Sequence, residues 1–112
     1  TGNDTLTGGT GNDRFTYTAT NQGGDIIIDF NNSLDKLVFT TSAFGGITTV
    51  TAGINFFSNA GGTPTGINAQ FLYNTTNGLL SFDTNGTDTN GNVSIATLSG
   101  IPALLASGFQ MV

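Results

Sequence analysis

Seven aspartates are the only acidic side chains in this sequence of 112 residues, and the first two recur in register. Thr1-Gly2-Asn3-Asp4-Thr5-Leu6-Thr7 is followed nine residues later by Thr10-Gly11-Asn12-Asp13-Arg14-Phe15-Thr16. Gly8 and Gly9 complete the second unit as Gly-Gly-x-Gly-Asn-Asp-x-apolar-x. Glycines let the backbone bend so that carbonyls converge on one point, and the aspartate adds a carboxylate to that ring. With no Cys and no His in the chain, thiolate and imidazole chemistry are excluded, and zinc with them. Oxygen remains, and a ring of carboxylate and carbonyl oxygens suits a hard cation, calcium above all.

The Asp-x-apolar signature continues past the clean repeats. Asp25-Ile26-Ile27 follows Gly23-Gly24, and Asp35-Lys36-Leu37 comes next, at spacings of 12 and 10 residues after the first spacing of nine. The longer step places about three inserted residues within Thr18–Gln22. If successive turns alternate between two edges of a flattened spiral, Asp4 stacks on Asp25 and Asp13 on Asp35. That predicts two calcium positions, one per edge, with Asp29 in Asp29-Phe30-Asn31 as a further ligand. The short x-apolar-x piece after each aspartate is a strand with one side chain turned inward.

The elements that must hold these residues are read from composition and pattern. Gly (17) with abundant Thr and Asn, and no Glu, disfavours helices and excludes a helical bundle. Nine Phe supply a core for one domain. Leu37-Val38-Phe39, Thr48-Thr49-Val50-Thr51 and Val93-Ser94-Ile95-Ala96-Thr97-Leu98 read as strands. Phe44-Gly45-Gly46 reads as a turn and 59–66 as loop. Asn77-Gly78 joins Ala69–Tyr73 to Leu79–Phe82 in a predicted hairpin. Pro102 predicts a short helical stretch through Leu105 or Ala106. Two basic residues and a net charge of −5 exclude a nucleic-acid groove. No apolar run is long enough to span a membrane as a helix.

The nonapeptide has the form of the calcium-binding parallel β-roll repeat. Gly8 to Phe15, then Gly24-Asp25-Ile26-Ile27-Ile28-Asp29-Phe30 with Asp35-Lys36-Leu37, resemble the C-terminal end of the RTX (repeats-in-toxin) proteins, similar to serralysin-type C-terminal domains. Residues 71–112 are similar to the tail that follows in that family. The resemblance implies an all-β fold, a short calcium-binding parallel β-roll over 1–40 continuing into antiparallel capping strands over 41–112. It implies Ca2+ held by Thr1, Gly2, Asp4, Gly9, Gly11, Asp13, Asp25, Asp29 and Asp35. It also implies a module of a larger bacterial protein that folds on calcium outside the cell. Such proteins leave through a type I exporter that reads an uncleaved C-terminal signal, here within about 95–112, so no N-terminal signal peptide is needed. The family often ends in Asp-Phe before apolar residues, whereas this chain has Gly108-Phe109. As a fragment it is expected to be a monomer.

The same residues bear on three other readings. An adhesin-like or carbohydrate- or ice-binding solenoid, with calcium only structural, would use a rank such as Thr16, Thr18 and Thr20. A second calcium loop over Asp83–Asn92 lacks the closing Glu, and two Asn-Gly turns explain it. Glycosidic cleavage needs two carboxylates across a pocket, one held neutral. Aspartates in Gly-rich turns do not offer that arrangement, so no enzyme activity is expected.

Overall fold

The computed structural model describes residues 4–20, 24–86 and 91–112. Nine strands and two short 3-10 turns make up its regular elements among those residues, an all-β architecture. The strands are β1 (Thr5–Leu6), β2 (Arg14–Tyr17), β3 (Asp25–Ile27), β4 (Lys36–Phe39), β5 (Phe56–Asn59), β6 (Gln70–Asn74), β7 (Leu79–Asp83), β8 (Asn92–Leu98) and β9 (Phe109–Met111). They form a six-stranded sheet ordered β1-β3-β8-β7-β6-β5 and a three-stranded sheet ordered β2-β4-β9.

The first four strands alternate between the two sheets. β1 pairs in parallel with β3, and β2 in parallel with β4. Each is short and has one face turned inward: Phe15 and Tyr17 of β2 are buried while Arg14 and Thr16 are exposed. Asp25 and Ile27 of β3 are buried on either side of exposed Ile26. The period of two that makes these pieces strands therefore also puts one aspartate, Asp25, on the inner side.

Beyond β4 the pairing is mixed. β8 is parallel to β3 but antiparallel to β7, which is antiparallel to β6, while β5 and β6 are parallel. β9 adds to β4 in parallel. The capping part is thus only partly antiparallel, because the chain crosses between the sheets again before β9. The predicted β6–β7 hairpin is present, with a four-residue connection, 75–78, in place of a two-residue turn. Gly78 is required there: its φ is +79°, and a Cβ would come within 2.5 Å of the Leu98 carbonyl oxygen.

Two predicted elements are corrected. Residues 48–51 form no strand. The Thr51 amide donates to the Asn55 side chain, and the Thr51 carbonyl accepts from Ile54 and Asn55, which closes a turn. Pro102 opens no helix. The carbonyl of Pro102 is taken by the Tyr73 hydroxyl at 2.7 Å, and the chain runs on irregularly to a 3-10 turn at Ala106–Gly108. A strand that sequence pattern did not single out, β5, packs Phe56 into the core.

The core lies between the sheets and is aromatic. Phe39, Phe44, Phe71 and Phe82 are fully buried, and Phe71 touches Phe39, Phe44, Phe82 and Phe109 at ring-centroid distances of 4.7, 5.9, 5.1 and 5.1 Å. Edge-to-face and tilted ring pairs of this kind add to the burial term.

Candidate metal centre

The register fixes which aspartates meet. Thr5 lies opposite Ile26 and Arg14 opposite Lys36, so the residues just before them, Asp4 and Asp25, and Asp13 and Asp35, fall in matching positions of successive turns. Both pairs bond alike. The amide of Asp4 donates to Asp25 Oδ1 at 3.0 Å, and the amide of Asp13 donates to Asp35 Oδ1 at 3.0 Å. In return the carbonyl of Asp4 accepts from the Ile26 amide, and that of Asp13 from the Lys36 amide.

The second oxygen of each later aspartate is also engaged. Asp25 Oδ2 accepts from the buried Tyr17 hydroxyl at 3.1 Å, and Asp35 Oδ2 from the Asn31 amide at 2.9 Å. Tyr17 holds its proton strongly, its pKa raised first by burial and then by the Asp25 carboxylate. Asp29 accepts from the amides of Gly8 and Gly9, at 2.9 and 2.7 Å on its two oxygens. Those two amides lower the Asp29 pKa, because they stabilise the charged form. Asp25, Asp29 and Asp35 therefore act as clamps that bind the amides of the preceding turn. Each carboxylate oxygen retains a second lone pair.

Asp13 differs from all of them. Its Oδ2 is buried and has no hydrogen-bond partner. The oxygen lies against Gly8, where a Cβ would approach it to 2.4 Å, so only glycine admits the carboxylate at that place. Its pKa is raised, first by desolvation and then by the negative charges of Asp35 and Asp29. An orphaned carboxylate oxygen surrounded by like charge is a group short of a cation or a proton.

The remaining sequence-predicted ligands are placed as follows. Gly9 and Gly11 are exposed, with φ of +82° and +89°, in the turn leading to Asp13. Asp4 is exposed. Thr1 and Gly2 lie outside the described residues, as do parts of the inserted 18–22 segment and Asp88. Among the described residues, no three acidic side chains come together closely enough to form a carboxylate cage. Any cation here would depend on backbone carbonyls for most of its ligands, which calcium accepts. In the Asp83–Asn92 segment, Asp83 is buried and accepts the Asn85 amide at 3.1 Å, a turn-closing bond. Sequence reasoning missed Tyr17 as the partner of Asp25. The signal was its inward position two residues after Phe15.

No family model matches this chain, and neither a curated protein nor a solved structure is similar enough to count as a match. Among the described residues no helix is long and apolar enough to cross a membrane.

Proposed function

We propose that this chain is a calcium-binding module of a secreted bacterial protein, a short parallel β-roll of RTX type that folds fully when calcium binds. The observation that carries the reading is the unpartnered, buried Oδ2 of Asp13 beside Gly8, at the centre of the one complete nonapeptide. Support comes from the alternation of β1 to β4 between two sheets and from the in-register pairing of Asp4 with Asp25 and of Asp13 with Asp35.

On this reading Asp13 and carbonyls of the Gly9 and Gly11 turn hold the ion, and Asp35 and Asp29 add negative charge without joining them in a cage. Asp4 and Asp25, together with Thr1 and Gly2, would hold a second ion on the opposite edge. Calcium supplies positive charge between carboxylates that otherwise repel, and so offsets the ordering entropy of the Gly-rich turns. Low free calcium inside the cell would leave the chain loose for a type I exporter, which reads the 95–112 region. High calcium outside would complete folding. The module itself is assigned no catalytic role.

Calorimetric titration with calcium, alongside circular dichroism, tests this. Wild-type protein should bind one to two ions per chain and gain strand signal or thermal stability. Asp13→Asn should lose the tighter site, whereas Asp88→Asn should not. Retention of full affinity by Asp13→Asn would sink the assignment.

A further inference from the structure

Arg14 and Lys36 are the only basic residues of the chain, and the fold sets them side by side. They are paired across β2 and β4. Both stand on the face of the three-stranded sheet turned away from the core, where Arg14 and Thr16 are exposed while Phe15 and Tyr17 point inward. Val38 and Gln110 continue that face, since Thr16 pairs with Val38 and Val38 with Gln110.

The bonding of the two cations is unusual for so acidic a chain. The Arg14 guanidinium donates to Gln110 Oε1, so its stem must cross β4. That crossing accounts for Val38 being only 5% exposed although it faces outward. The Lys36 ammonium donates to the Ser107 carbonyl. Among the described residues neither side chain has another polar partner, and neither meets a carboxylate. Four of the seven aspartates, Asp25, Asp29, Asp35 and Asp83, are instead committed to backbone amides at the turns. An Arg has five N–H donors and a Lys three, so most of this donor capacity has no protein acceptor among the described residues.

We propose that the outer face of β2, β4 and β9 binds a carboxylated polysaccharide. Arg14 and Lys36 each meet a uronate carboxylate, and Thr16, Gln110 and Ser107 take sugar hydroxyls. Charge complementarity selects an anion, because both side-chain cations are on this one face and, among the described residues, neither is paired with a carboxylate. The face carries no aromatic side chain, so a nucleic acid would find no stacking platform. The flanking hydroxyl and amide groups match a glycan better than a bare polyphosphate. A net charge of −5 keeps the affinity modest and its salt dependence steep. Neither cation is a proposed calcium ligand, although β2 and β4 belong to the turns that calcium is proposed to complete.

The test is titration of the full chain with an oligouronate hexamer at low salt, in chelator and again in millimolar calcium, followed by calorimetry or NMR. A neutral hexasaccharide and a linear polyphosphate serve as controls. Saturable uronate binding is expected, weakened about tenfold or more in Arg14→Gln/Lys36→Gln, the loss of one or more charge-assisted hydrogen bonds. Arg14→Lys, which keeps the charge but not the fork, should give an intermediate loss. If the double variant does not fold, Gln110→Glu serves instead: it neutralises Arg14 in place and should weaken binding similarly. Equal binding by the neutral sugar, tighter binding of polyphosphate, or unchanged affinity in Gln110→Glu and the double variant would each overturn the proposal. So would binding that appears only with calcium and survives unchanged in both variants, as uronate bridged by the ion and not held by the two cations.

Discussion

The two halves of this molecule are held together by different forces. In the first half, strands of two to four residues are tied by carboxylates that accept amides from the neighbouring turn. In the second half, the strands β6, β7 and β8 run to five, five and seven residues and cover a cluster of buried phenylalanines. The repeated motif is thus carried by the half whose turns are tied by carboxylates, although its Phe15, Tyr17, Leu37 and Phe39 enter the same core. No proposed calcium ligand lies in the second half. That half offers β3 and β4 the strands β8 and β9 as templates on which the turns can stack.

The largest test of this division removes the aromatic half's centre. Phe71→Ala deletes a fully buried ring that touches four others, and should cost about 3–5 kcal/mol, enough to unfold both halves together in urea. Loss confined to β5–β7, with the turns still protected from hydrogen exchange, would show that the first half stands alone. Calcium tests the other side. At a hundredfold excess over Kd it should add about 2.7 kcal/mol. The gain in exchange protection should fall on residues 4–37 and leave β6–β8 unchanged. Equal gains in both halves would erase the distinction.

A smaller effect isolates one clamp. Asp35→Ala removes the acceptor of both the Asp13 and the Asn31 amides, and should cost about 2 kcal/mol by leaving them unsatisfied. Asp35→Asn keeps one acceptor oxygen and should cost less. Chemical denaturation of the two variants in chelator measures the difference. Equal costs would mean that charge, not hydrogen bonding, is what Asp35 supplies.

Sequence pattern made the first half legible because its period ties residue type to position. The spacing alone placed Asp4 against Asp25 and Asp13 against Asp35, and the register agrees. It could not tell a ligand from a clamp, since that depends on which amides the turns bring within 3 Å, as at Asp29 with Gly8 and Gly9. In the second half, strong alternation gave β8, and Asn77-Gly78 gave the hairpin. β5 was hidden because adjacent Phe56 and Phe57 show no period of two, and its partner β6 is reached only after an irregular loop. Residues 48–51 have β-propensity without a neighbouring strand to pair with, and tertiary context overrides such a preference. Pro102 failed as a helix start because Tyr73 claims its carbonyl from a distant strand, an interaction that no local pattern contains.

The smallest expected effect concerns acid, and it separates clamp from candidate ligand within the first half. The Asp29 pKa is lowered by the Gly8 and Gly9 amides. Its stabilisation is therefore complete above the ordinary carboxylate pKa and is lost as pH falls through its lower folded value. The Asp13 pKa is raised by burial and by Asp35 and Asp29. Its ionisation burdens the folded state above that raised value, and the burden disappears as pH falls toward the ordinary carboxylate pKa. In chelator, then, acidification from neutral pH should first raise the urea midpoint slightly and afterwards lower it. Asp13→Asn should abolish the rise, and Asp29→Asn should shrink the fall. With calcium bound, Asp13 is held ionised by the ion and the rise should vanish in the wild type as well. A midpoint that falls steadily from neutral pH in chelator would show that Asp13 carries no such burden, and would remove the main reason for placing calcium beside it.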